Sequence, residues 1–128
     1  MGSAVLDASA ILAVIQQERG SEKLPPELLA ETVVSTVNLS EVVGKLVLSG
    51  WSDDEAWEDA TSLVHEILPF TPQHARIAGN LINQTRHLRL SLADRACLAL
   101  GLALKAPVYT ADRSWKSLKL GLRIQVIR

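Results

Sequence analysis

The chain has 128 residues, 48% of them apolar and 21% charged, which suits one folded domain over residues 1–128 and excludes a disordered chain. Its single cysteine, Cys97, excludes a disulfide framework and a thiolate zinc site. The net charge of −1 conceals a segregation, since residues 1–70 carry twelve acids and three bases while residues 71–128 carry ten bases and two acids.

Such asymmetry points to a face that meets phosphates or to subunits that attract each other, unless the two halves interleave and cancel. The opening residues have no basic leader and are interrupted by Asp7, so no signal peptide is expected. No apolar run approaches the roughly 20 residues of a membrane span. A soluble cytoplasmic protein is the expectation.

Ser3–Leu6 reads as a short buried strand, followed by a helix over Ala8–Glu18. Leu24-Pro25-Pro26 punctuates a loop before a second strand, Thr32–Thr36. Leu39, Val42, Val43, Leu46 and Val47 then recur at helical spacing, and Gly50 ends that stripe. Ser52 and Glu55 form a capping box that opens a helix reaching His65. Glu66–Phe70 is a candidate strand, and Thr71 with Pro72 starts the next helix as N-cap and first residue. Ser91–Lys105 is the most apolar helix and is expected to lie deepest. Ala106–Thr110 is a strand, Asp112–Lys119 a short helix, and Arg123–Ile127 a last candidate strand. Continuous apolar strands covered by helices give an α/β fold with a mainly parallel sheet of four to five strands. Two helices separate the second and third strands and two more the third and fourth. A crossover needs one, so one of each pair is expected to project as a hairpin or to pack obliquely.

Four acids map to the edge where parallel sheets bind ligands, beyond the carboxyl ends of the strands. Asp7 closes the first strand, and Glu41 lies in the first turn of the helix after the second. Asp94 opens the helix that feeds the fourth strand, and Asp112 follows that strand by two residues. Each has a local reading as well. Asn38-x-x-Glu41 and Ser91-x-x-Asp94 fit capping boxes, Asp112 fits an N-cap, and Asp7 fits a turn. Asp7, set between Leu6 and Ala8, is the least suited to a purely local role. Carboxylates buried together repel unless a cation neutralises them, and an oxygen-only set suits Mg²⁺ or Mn²⁺.

The segments VLDASAILA, STVNLSEVV, LSLADRACLALGLALKAPVYTADRSW and LRIQVIR together resemble a PIN-domain protein, most closely the VapC-type toxins of bacterial toxin–antitoxin pairs. The likeness runs from about Val5 to Ile127. It implies a Mg²⁺- or Mn²⁺-dependent endoribonuclease, a homodimer, and inhibition by a small cognate antitoxin, with DNA met only through the antitoxin complex. Carried onto this chain, it implies Asp7, Glu41, Asp94 and Asp112 as the catalytic acids, with Asp7 and Asp94 as metal ligands. Ser9 and Thr110 match small hydroxyl positions near the site, and the products would carry a 5′-phosphate and a 3′-hydroxyl. The expected chemistry is in-line attack of an activated water on an RNA phosphodiester. Arg113, Lys116, Lys119 and Arg95 are candidate phosphate contacts, and Arg86, His87 and Arg89 form a second basic loop; a solvated basic face is the alternative for both. His65, His74 and His87 read as surface or helix-end residues, and Cys97 and Trp115 as packing. Trp51 and Trp57 read as core or dimer surface.

Two other chemistries fit less well. A phosphoryl-transfer enzyme with an aspartate nucleophile usually shows a second acid two residues on, where this chain has Ser9. A response-regulator-like domain wants an aspartate after the third strand, where this chain has Pro69-Phe70-Thr71. A non-catalytic module acting with its antitoxin in DNA-bound autoregulation is the alternative from outside enzymology.

Overall fold

A computed structural model describes residues 4–128. Five strands, β1 (Ala4–Leu6), β2 (Thr32–Ser35), β3 (Glu66–Leu68), β4 (Val108–Thr110) and β5 (Ile124–Val126), form one sheet in the order β3-β2-β1-β4-β5. All four pairings are parallel, with Val5 beside Val33 and Val108, and Val108 beside Ile124. The strands are short because each is a single crossing of a small core. Parallel neighbours also need helical crossovers, and those occupy most of the chain.

The apolar run of β1 is buried throughout, and its pleat divides the core in two. Leu6 and Val34 face a cluster built from α1 (Ala8–Ile15), α3 (Thr36–Leu48) and α4 (Asp53–Ser62). Val5, Val33 and Val108 face a second cluster, built from α7 (Leu92–Leu104) with Leu81, Trp115 and Leu118. In α7, Cys97, Leu98 and Leu100 are fully buried. Burying each leucine contributes roughly 1.5–3 kcal/mol. Gly101 lets this helix press against β4, because a Cβ there would lie 2.5 Å from Val108 Cγ2.

The remaining helices are α2 (Pro26–Leu29), α5 (Pro72–Asn80) and α6 (Ile82–Thr85). Between β2 and β3, α3 packs on α4; between β3 and β4, α5 packs along α7. Each pair is a pair of neighbours, and the short α6 is a third helix between β3 and β4 beyond the two expected there. Thr71 caps α5 by accepting from the His74 N–H, and Ser52 with Glu55 caps α4 in both directions.

Several boundaries differ from the sequence expectations. Ser3 lies outside the described residues. Thr36 belongs to α3, not to β2, because Ser35 caps the helix by accepting from Val37 N. Asn38-x-x-Glu41 is thus an interior pair and not a capping box. The helix after Asp112 is a 3₁₀ turn over Arg113–Ser117. Pro26, taken as loop punctuation, is the first residue of α2, where its missing N–H costs nothing. His74 is buried and stands in the first turn of α5, the helix-end alternative of the two expected for it.

Candidate active site

Parallel pairing brings the carboxyl ends of β1, β2 and β4 to one edge, and the acids follow from there. The backbone N–H of Asp7 continues the β1–β4 ladder by bonding to Tyr109 O. Asp7 then caps α1, accepting from Ala10 N at 2.8 Å through Oδ1. The same oxygen accepts from the Ser9 hydroxyl at 2.7 Å, and Oδ2 accepts from the Thr110 hydroxyl at 2.6 Å. Ser9 Oγ accepts from Ala111 N, and Thr110 Oγ1 from Asp112 N. Both hydroxyl protons are given to Asp7, so the two short side chains tie it to the 110–112 loop and fix its direction.

Asp94 arrives on the first turn of α7, where Ser91 and Asp94 form a reciprocal capping box; its Oδ2 accepts from Ser91 N at 3.0 Å. Asn38 of α3 donates from Nδ2 to Ala93 O at 2.9 Å. This bond clamps α3 against the start of α7, and Glu41 lies one turn further along α3, beside Asp94. Asp112 accepts from the N–H and hydroxyl of Ser114 through Oδ1. Asp7, Glu41, Asp94 and Asp112 all line one hollow of about 270 Å³, together with Ser9, Lys45 and Ser91.

The four acids are not equivalent. Asp7 is 4% exposed. Burial, with a smaller contribution from the charge of Asp94, pushes its carboxyl up to about 6, against three hydrogen bonds from Thr110, Ala10 and Ser9 that favour the charged form. Behind the hollow, burial and then the charges of Asp7, Asp94 and Glu41 push the Cys97 thiol well up. The one cation on the hollow's wall is Lys45, whose Nζ stands 3.6 Å from Glu41 Oε2.

Among the described residues, no three His, Cys, Asp or Glu side chains are grouped so as to hold a metal ion by themselves. The donor set still fits a hard cation. Every available donor is oxygen, Asp7 is desolvated with no cation on it, and the hollow has room for the waters Mg²⁺ usually keeps.

The other expected residues fall in different places. Arg113 is exposed on the 3₁₀ turn after Asp112. Arg95 is not directed to the hollow; it donates from Nη1 to Ala78 O at 2.9 Å and ties α7 to α5. His87 Nε2 meets Ser117 Oγ at 3.4 Å, which sets the Arg86–Arg89 loop beside the turn that carries Arg113 and Lys116. Trp115 is buried packing, Trp51 packs against the core, and Trp57 is exposed. Sequence reasoning missed two residues. Lys45, four positions after Glu41, was legible as an i,i+4 pair. Asn38 was read only as a cap.

The PIN domain profile matches residues 4–120. No curated protein matches the chain. Among solved structures, the DNA-bound VapBC of Salmonella typhimurium superposes with a TM-score of 0.76 at 14% identity, over all of both chains. VapC20 of Mycobacterium tuberculosis, a toxin that cleaves the sarcin–ricin loop, gives 0.68 at 18% identity over 94% of this chain and 99% of that one. VapBC-5 of the same organism, a toxin–antitoxin system, gives 0.63 at 23% identity over 98% of each.

Proposed function

The chain belongs to the PIN-domain family, and on that premise we propose that it is the ribonuclease toxin of a toxin–antitoxin pair, hydrolysing RNA phosphodiester bonds with Mg²⁺ or Mn²⁺. One observation carries the reading: four acids from four separate segments share a single hollow at the carboxyl edge of the sheet. Local capping accounts for one oxygen each of Asp7, Asp94 and Asp112 and not for the convergence of the four acids.

Asp7 and Asp94 are the residues that would hold the ion, with Glu41 and Asp112 accepting hydrogen bonds from waters around it. When bound, Mg²⁺ or Mn²⁺ supplies charge that offsets the developing phosphorane and makes an attacking water more acidic. Ser9 and Thr110 aim Asp7, and Ser9 also stands on the hollow's wall, within reach of substrate. Thr110 is fully buried, so its part is to position Asp7. Asn38 keeps Glu41 and Asp94 on facing helices, and Asp112 keeps Oδ2 for a water. Arg113 and Lys116, with Arg86 and Arg89 across the His87–Ser117 contact, supply a basic rim for the RNA backbone.

The partners follow the same reading. Val47, Leu48 and Trp57 are exposed at 44%, 89% and 53%, and this apolar surface suits a homodimer or an antitoxin contact. Among the described residues no helix is long and apolar enough to cross a membrane, and we assign the protein to the cytoplasm. DNA binding is assigned to the antitoxin complex.

The test is incubation of purified protein with total cellular RNA in Mg²⁺ or Mn²⁺ and in EDTA, beside Asp94→Asn, with circular dichroism to verify folding. Metal-dependent cleavage that the folded variant lacks is the expected outcome. Equal cleavage by both proteins, or none by either, would leave Asp7, Asp94 and Asp112 as helix caps and Glu41 as the ion-pair partner of Lys45.

A further inference from the structure

Beside the acid hollow lies a second one, of about 290 Å³, running from Asp112 to the chain end at Arg128. Ser9, Lys45 and Asp112 line both hollows, so the two are continuous across that shared wall. Their electrostatics differ. The first presents Asp7, Glu41, Asp94 and Asp112 against Lys45, whereas the second balances Lys45 and Arg128 against Glu18 and Asp112, with Gln16 as a neutral hydrogen-bonding side chain.

Both cations have capacity left. Lys45 Nζ is 3.6 Å from Glu41 Oε2, and its side chain is 57% exposed. Charge-assisted N–H···O bonds run to about 2.7–2.9 Å, so this ammonium is near its carboxylate without being satisfied by it. Arg128 donates from Nη2 to Glu18 Oε1 at 2.7 Å. That bond holds the planar fork in place and uses one of its five donors.

Resting on the nuclease reading above, we propose that this second hollow is the subsite for the nucleotide adjacent to the cleaved bond, with Lys45 and Arg128 binding its phosphate. Lys45 stands at the junction and draws the flanking phosphate out of the acid cluster's repulsive field, so that only the cleaved phosphate faces Asp7. Lys45 is a binding and positioning residue and has no part in the chemistry.

The experiment measures binding of a short fluorescent single-stranded RNA of mixed sequence as a function of salt, in the non-cleaving Asp94→Asn background. Lys45→Met, Arg128→Met and Lys45→Arg are added singly, and cleavage is followed in the parent chain. The expected result for either methionine variant is binding about fivefold weaker, with a log–log salt slope shallower by about 0.7, as for one lost phosphate contact on a single strand. Cleavage should show a raised KM with kcat nearly unchanged, and Lys45→Arg should restore both binding and slope. Unchanged affinity and slope in Lys45→Met, with tighter Mn²⁺ binding, would overturn the proposal and make Lys45 a counter-ion of Glu41 alone. In that case cleavage by the parent chain would persist. Loss of the nuclease reading itself is distinguished by a parent chain that cuts nothing.

Discussion

Two acidic regions of this protein look alike in composition and differ in physics. One is the carboxyl edge of the sheet with Asp7, Glu41, Asp94 and Asp112. The other is the outer side of α4, where Asp54, Glu55, Glu58 and Asp59 line a hollow of about 750 Å³, the larger of the two. On α4 every acid is exposed. Glu55 closes a capping box, and the Ser52 backbone N–H, then the Ser52 hydroxyl, hold its carboxyl below the ordinary range. Asp54 and Glu55 suit the positive end of the helix dipole, and all the acids there are solvated. At the sheet edge, burial forces Asp7 the other way, up to about 6. Neither the number of acids nor the size of the hollow separates the regions. Desolvation does, because only a carboxylate stripped of water gains strongly from a cation.

The widest gap between the regions should be in activity. Asp7→Asn or Asp94→Asn is expected to lower RNA cleavage about a thousandfold, the scale of several kcal/mol of lost charge stabilisation. Glu58→Gln and Asp59→Asn should leave it within twofold. A fall with the α4 variants would erase the distinction.

Stability against pH is the next largest effect, and at the sheet edge it belongs to Asp7. Below about pH 4 its carboxyl is protonated in both folded and unfolded chains. Above the unfolded value of 3.8 the unfolded chain loses its proton while the folded chain keeps it, so metal-free stability falls from there up to about pH 6 and levels off once both states carry the charge. The loss is up to about 3 kcal/mol. Asp7→Asn should escape it, melting above the parent at pH 7.5 and losing that advantage toward pH 4, though it also gives up part of the Ser9 and Thr110 bonding. A variant less stable than the parent at both pH values would mean the hydrogen bonds outweigh burial.

Divalent ions should reverse the order. Saturating Mn²⁺, at about a hundredfold over its Kd, should stabilise the parent by about 2.7 kcal/mol. It should leave the Asp7→Asn melting temperature where it was and raise that of the α4 variants as in the parent; EDTA should return the parent to its starting value. The smallest effect is local. Ser52→Ala removes the N-cap of α4 and should cost about 1 kcal/mol of stability, with cleavage unaltered.

Within the site, Thr110→Val separates holding from catalysing. It removes the 2.6 Å bond to Asp7 Oδ2. Weaker Mn²⁺ binding, by about tenfold, is expected, measured by calorimetry on protein that keeps its circular dichroism.

Local chemistry in the chain determined much of this. The runs 3–6, 32–36 and 106–110 read as buried strands, and strands stand at Ala4–Leu6, Thr32–Ser35 and Val108–Thr110; Ser52, Thr71 and Ser91 start helices because their hydroxyls meet orphan N–H groups. The acids at the ends of those strands were legible as one edge once the sheet was taken as parallel. Tertiary packing decided what local signals leave open. Asn38 and Glu41 sit inside α3 because Ser35, and not Asn38, takes the cap; the Asn38 amide then serves the contact with Ala93 on α7. Arg95 lies beside Asp94 in sequence but turns to α5, since successive residues on a helix face different ways. Only the folded chain shows that Asp7 is dry, that Thr110 and Ser9 both give it their protons, and that Lys45 looks into two hollows at once. Those facts depend on water being excluded by segments a hundred residues apart, and no local pattern in a sequence encodes that distance.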